Sequence, residues 1–170
     1  SFSNIIFDKD AWKVAVAPVF EKLVLIDSFS KNYLIQGARI GCALVPDKLV
    51  TKTVTNHQNL ISAAPTPGQY LALWALDQDE RMPELIEQRQ LASEFIARMG
   101  WSTYPQQGTF YFFPKVPDIS KFQSYAEAKG MFMLTGEVFG TSYCNHFRLC
   151  FGKPISELNV IFSRLLDGVR

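Results

Sequence analysis

Lys31 stands in Ser28-Phe29-Ser30-Lys31, just after the apolar run Leu23-Val24-Leu25-Ile26 and before a second run from Ile40 to Val45. A lysine in a loop at a strand end can lie against a ligand. Once deprotonated, its amine can attack a carbonyl to form a Schiff base. Ser28 precedes it by three residues and Arg39 follows it by eight. A hydroxyl and a planar guanidinium at those places are donors suited to a phosphate, because charge-assisted bonds to phosphate are strong. A lysine for an aldehyde beside donors for a phosphate points to pyridoxal phosphate. A lysine that merely faces solvent, with Arg39 an ordinary surface cation, is the alternative for either residue taken alone.

Arg148 is the second candidate, within His146-Phe147-Arg148-Leu149-Cys150-Phe151. Flanked by apolar residues on a predicted strand, it must find a partner or sit at an edge, since burying an unpaired guanidinium is very costly. Its planar fork matches a carboxylate in a bidentate pair. A structural salt bridge to Glu137 or Asp118 is the competing use. Cys42, Cys144 and Cys150 form no CxxC pair, and His57 and His146 lack neighbours at metal-ligand spacing, so no metal site is expected.

The 170 residues suffice for one compact domain or for parts of two. With 48% hydrophobic and 19% charged residues, a sizeable core is expected and disorder is not. A net charge of +1 gives no electrostatic case for nucleic acid or an anionic membrane as partner. No apolar run approaches the roughly 20 residues needed to span a bilayer. Three scattered cysteines suit a reducing compartment, hence a cytoplasmic location, better than a disulfide framework.

The elements that must position these groups follow from the pattern. Lys22 to Asp27 and Ile40 to Val45 read as buried strands, because continuous aliphatic runs suit a sheet covered on both faces. Pro46-Asp47 breaks the second run, and Leu49 to Leu60 is a weakly patterned helix. Thr66 is predicted as an N-cap, with Pro67 at the first helical position and Gln69 closing a capping box. Tyr70 to Leu76 is apolar nearly all round, which predicts a buried helix. Pro83 opens another helix that ends at Met99-Gly100. Leu85, Ile86, Phe95, Ile96 and Met99 give it an apolar side, while Glu84, Glu87, Gln88 and Arg98 are expected to face water. Short aromatic strands are predicted at Trp101 to Tyr104 and Thr109 to Phe113. A helix capped by Ser120 runs to Lys129 and stops at Gly130. Strands follow at Met131 to Leu134 and His146 to Phe151, separated by a Gly-, Ser- and Thr-rich loop. Pro154 starts a last helix with Ile155, Leu158, Ile161, Phe162 and Leu165 on one side, stopped at Gly168. Strands alternating with helices in this way describe a small α+β unit.

Ser28, Phe29, Ser30, Lys31, Gly37, Arg39, Ile40 and Gly41 fall at the spacing of the lysine signature of the class I/II aminotransferases, the fold type I pyridoxal-phosphate enzymes, which the chain resembles. The likeness covers essentially the whole chain, but only the lysine stretch is highly specific. It implies an α/β fold. Residues 1–79 would be the C-terminal part of the large cofactor-binding domain, carrying the lysine loop, and residues 80–170 the α+β C-terminal small domain. It implies Lys31 as the catalytic, cofactor-bonding lysine and Ser28 and Arg39 as phosphate ligands. Gly136-Glu137-Val138-Phe139-Gly140 followed by Phe147-Arg148-Leu149 resembles the family's substrate-carboxylate site, which makes Arg148 the clamp. Gly108-Thr109-Phe110-Tyr111 resembles a Gly-Ala-Phe-Tyr strand of the small domain, and no role is carried to Tyr111.

The resemblance further implies pyridoxal phosphate as cofactor, an amino acid and a 2-oxo acid as substrates, and a cytoplasmic homodimer. A carbon–sulfur lyase of the same fold would use the same lysine and arginine, and some transcription regulators carry an aminotransferase-like effector domain. One departure stands out. The family's aspartate on the pyridine nitrogen, its stacking ring and its asparagine have no counterpart here. The expectation is therefore a C-terminal portion of a longer enzyme, inactive by itself.

Overall fold

The computed structural model describes residues 2–8, 21–78 and 82–167, so the predicted helix stop at Gly168 lies outside the described residues. The chain divides into two compact units, Ser1–Glu80 and Arg81–Arg170.

In the first unit, β1 (Leu25–Ser28) pairs antiparallel with β2 (Gly41–Leu44), with Leu25 opposite Leu44 and Ser28 opposite Gly41. The expected burial is not found: Ile26 is 75% and Leu44 54% exposed. The aliphatic runs record what a covered strand needs, and the described residues of this unit lay no such cover over Ile26 and Leu44. A two-stranded ribbon of this kind is marginal without such cover. Between the strands lie a single helical turn, α1 (Phe29–Asn32), and a 3-10 turn, Gln36–Ala38.

Helix α2 (Asp47–Ile61) forms where weak patterning predicted it and buries none of its residues. Helix α3 (Thr66–Leu76) begins one residue earlier than predicted. Pro65 occupies the N-cap position and Thr66 is already helical, while the Gln69 amide donates to the Ala64 carbonyl at 2.8 Å rather than closing a capping box. The buried helix expected from Tyr70 to Leu76 is half right. Gly68, Ala72 and Ala75 are buried, whereas Tyr70, Leu73, Trp74 and Leu76 are exposed. Small residues face the unit, and the large apolar ones face outward.

The second unit packs helices on one side of a three-stranded antiparallel sheet. The strands are β3 (Tyr111–Phe112), β4 (Leu134–Thr135) and β5 (Phe147–Cys150), in the order β3-β5-β4. They are shorter than predicted, and Trp101 to Tyr104 contributes only one bridge, Ser102 with Lys115. Helix α4 (Met82–Arg98) brings Leu85, Phe95 and Ile96 inward. Gln88, expected in water, is also buried, and its amide donates to Glu84 at 3.0 Å. Helix α5 (Ile119–Ala128) is capped by Asp118, not Ser120; the Asp118 carboxylate accepts from the Lys121 N–H at 3.0 Å. Helix α6 (Ile155–Leu166) buries Leu158, Phe162 and Leu165.

The core is aromatic. Phe95 of α4 stacks on Phe162 of α6 at 4.3 Å and 6° between planes, and the Trp101 ring meets Phe95, Phe122 and Phe147 edge-on. Such pairs add to the burial of large apolar surface. Because side chains alternate along a strand, Phe112, Phe147 and Phe151 point into this core, and Tyr111, Arg148 and Cys150 lie on the other face.

Candidate active site

The β1–β2 ribbon collects three of the predicted site residues at one end. Ser28 is the last residue of β1 and Lys31 lies in the turn that follows. Arg39 closes the connection, two residues before Gly41, the register partner of Ser28. The Phe29 N–H donates to the Ile40 carbonyl at 3.3 Å and carries the ladder one step beyond the strands. Ser28, Lys31 and Arg39 are therefore held by a single hairpin, and Ser28 and Lys31 are half-buried there.

Local hydrogen bonds shape the loop. The Ser28 hydroxyl oxygen accepts from the Ser30 N–H at 3.2 Å and caps the lysine turn, while its own O–H remains a donor. The Asp27 carboxylate accepts from the Ser28 N–H at 2.7 Å and from the Ser3 hydroxyl. Burial pushes the Asp27 carboxyl upward, and the Ser3 and Ser28 donors are among the contacts that together hold the group below its ordinary value. Arg39 adopts a left-handed backbone, φ 51° and ψ 46°, which is strained for a side chain other than glycine. Its Nη1 donates to the Gln36 carbonyl at 2.8 Å, which steadies the guanidinium and leaves further N–H donors on the fork.

Two glycines fix this geometry from outside the signature's chemistry. A Cβ at Gly41 would meet the Asp27 carbonyl oxygen at 2.7 Å, and one at Gly68 would meet the Ala38 carbonyl oxygen at 2.6 Å. The first turn of α3 thus rests directly on the turn before Arg39. Sequence reading missed Gly68, which looked like part of a helix start; Gly at a first turn beside Pro67 was the signal available.

Arg148 lies in the second unit on β5, opposite Leu134 of β4, and its side chain is exposed. Neither expected salt bridge forms among the described residues. Asp118 pairs instead with Lys121 at 3.5 Å, and Glu137 sits in the 3-10 turn Gly136–Phe139. The Arg148 guanidinium carbon stands 4.6 Å from the centroid of the Tyr111 ring. That turn is held close to the strand: the Gly136 N–H donates to the His146 carbonyl at 2.6 Å, and a Cβ on Gly136 would lie 2.9 Å from the His146 Cβ. His146 is buried, with its ring stacked on Phe113 at 5.1 Å and flanked by Tyr143. Among the described residues, no three His, Cys, Asp or Glu side chains gather as metal ligands. No helix among them is long and apolar enough to cross a membrane.

The donor set on the hairpin fits pyridoxal phosphate: one amine for an aldehyde, with one hydroxyl and one guanidinium for a phosphate. The family described as aminotransferase class I and II matches residues 2–165, and the chain belongs to that family. Among curated relatives, the (5-formylfuran-3-yl)methyl phosphate transaminase of Methanocaldococcus jannaschii is 29% identical over 155 residues, covering 86% of this chain and 42% of the relative. The aspartate aminotransferase of Thermotoga maritima is 28% identical over 156 residues, covering 89% of this chain and 41% of the enzyme. The chain thus spans less than half the length of these relatives. Among solved structures, an M. jannaschii protein superposes with a TM-score of 0.86 at 24% identity, over 99% of this chain and 48% of that one. The T. maritima aspartate aminotransferase superposes with a TM-score of 0.84 at 24% identity, over 99% of this chain and 46% of the enzyme. The fold is the α/β fold of the fold type I aminotransferases.

Proposed function

We propose that this chain is the C-terminal portion of a pyridoxal-phosphate-dependent aminotransferase that moves an amino group between an amino acid and a 2-oxo acid. Residues 1–79 would then form the end of the large cofactor-binding domain and residues 80–170 the small domain. The observation that carries the reading is the hairpin that holds Ser28, Lys31 and Arg39 together at one ribbon end.

Pyridoxal phosphate, when bound, supplies an electrophilic carbon for an amine and a ring that draws electrons from the substrate Cα. Arg39 and Ser28 bind the phosphate, the arginine through the N–H donors that Gln36 leaves available and the serine through its O–H. Lys31 anchors the cofactor through Nζ. Nζ of Lys31 would also take the substrate's α-proton and return it, a general acid/base role. Arg148 binds the α-carboxylate with its bidentate fork. The same residues would serve an amino acid and a 2-oxo acid in turn, the order of a ping-pong cycle.

A homodimer and a cytoplasmic location belong to the same proposal. The exposed Leu60, Ile61, Leu73 and Trp74 of α2 and α3 suit coverage by further protein, and three exposed free cysteines suit a reducing compartment.

The test is borohydride reduction of the cofactor-loaded parent protein followed by peptide mapping, which should place a pyridoxyl label on Lys31. A label on another residue, with Lys31→Ala fully active, would overturn the assignment. Ammonia release without need for a 2-oxo acid would assign a lyase instead.

A further inference from the structure

Arg148 lies on the sheet face away from the helical core, where no carboxylate among the described residues pairs with it. An exposed arginine has many rotamers, and a fork free to swing is a poor receptor for a planar anion. The structure shows what restrains it. Tyr111 is the register partner of Cys150 on the neighbouring strand, which puts its ring on the same face as Arg148 and diagonal to it. The guanidinium carbon lies 4.6 Å from the ring centroid, well inside cation–π range.

The backbone that carries the ring is anchored. The Tyr111 N–H donates to the Thr109 hydroxyl at 3.2 Å. The Gln106 amide donates to the Thr109 carbonyl at 2.9 Å, and Arg89 of α4 donates to Gln106 from Nε at 2.8 Å and from Nη2 at 2.9 Å. A chain of hydrogen bonds therefore ties the start of β3 to the long helix of the unit. The Phe110 ring lies 4.7 Å from that of Tyr111. Burial, with a contribution from Cys150, raises the phenol above its ordinary value against the opposing Arg148 charge, so the ring stays neutral. It serves as a π surface, not as a counter-anion.

We propose that Tyr111 is a positioning residue for Arg148: its ring face holds the guanidinium plane in place so that the outer edge of the fork meets an incoming carboxylate. The inference rests on the reading of Arg148 as the carboxylate clamp. The role belongs to the aromatic face and not to the hydroxyl, so phenylalanine fulfils it and an aliphatic side chain does not.

The experiment titrates pyruvate, the simplest 2-oxo carboxylate, into the cofactor-loaded parent protein and reads its Kd. The Arg148 Nε–Hε signal is followed by nitrogen-15 NMR in the same samples. Tyr111→Phe should hold Kd within about twofold, whereas Tyr111→Leu should raise it about three- to tenfold. Tyr111→Leu should also broaden the Arg148 signal. In an Arg148→Ala background, Tyr111→Leu should add nothing, because the two residues act as one unit. Stepwise fluorination of a phenylalanine at position 111 keeps the ring while weakening its quadrupole, so it serves even if the leucine variant folds poorly; affinity should fall with each fluorine. A flat fluorine series, or a leucine effect that persists in the Arg148→Ala background, overturns the positioning role and leaves the clamp standing. Unchanged pyruvate binding in Arg148→Ala itself overturns the clamp, and the positioning role with it.

Discussion

Gly68 and Ala38 touch: a Cβ on the glycine would stand 2.6 Å from the alanine carbonyl oxygen. The start of α3 is thereby a wall for the turn that presents Arg39. Gly68→Ala should push that turn outward and weaken cofactor retention in the parent protein, measured by dialysis and absorbance. Gly37, one residue before Ala38, has open space where a Cβ would go, so Gly37→Ala should retain the cofactor as the parent does. Equal behaviour of the two variants would show that contact with α3 does not shape the site.

Arg39 should matter more than Ser28 for the phosphate. A charge-assisted bond to phosphate is roughly twice as strong as a neutral one, and the arginine offers several donors. Arg39→Ala should therefore lose cofactor more readily than Ser28→Ala. Ser28→Ala carries a second, separate cost, because the hydroxyl also caps the lysine turn through the Ser30 N–H. Equilibrium dialysis of both variants decides the order; tight binding by both would remove the phosphate from this loop.

Arg148→Ala should reduce kcat/KM for an α-amino acid severely, since removing one partner of a desolvated charge pair costs about 2–5 kcal/mol. Arg148→Lys should recover only part, because an ammonium cannot reproduce the bidentate fork. Cofactor binding should survive in both variants. The discriminating comparison is L-alanine against ethylamine, which lacks the carboxylate. Equal damage to both substrates would make Arg148 a structural residue.

Phe162 anchors α6 to α4 through its stack on Phe95, and its side chain is buried. Phe162→Ala should cost about 3–5 kcal/mol of stability, the range for deleting a buried aromatic ring. Phe162→Leu should cost less, because it refills part of the cavity. Urea unfolding followed by tryptophan fluorescence reads both, with Trp101 in the same aromatic cluster as the reporter. A loss within about 1 kcal/mol for the alanine variant would mean that the cluster collapses freely onto the gap.

The grouping of the candidate donors was legible in the linear chain because they lie in a short stretch. Ser28, Lys31 and Arg39 lie within twelve consecutive positions, so one hairpin brings them together whatever else the protein does. Helices with strong punctuation were legible for the same reason: Pro154 and the Leu158, Phe162 and Leu165 spacing are local features, and α6 follows them. Caps were read less well. Asp118, not Ser120, caps α5, and Pro65 precedes a helix that Thr66 was expected to cap, since several polar residues compete within a turn and backbone geometry selects one. Burial was legible only in part in the first unit, at Ala72 and Ala75 of α3. Hydrophobicity states that Ile26, Leu73 and Trp74 favour cover, but which surface meets them is decided by packing between elements distant in sequence. The partnership of Arg148 with Tyr111 belongs to the same category. Thirty-six intervening residues separate the two, and only the β3–β5 register sets the ring beneath the guanidinium.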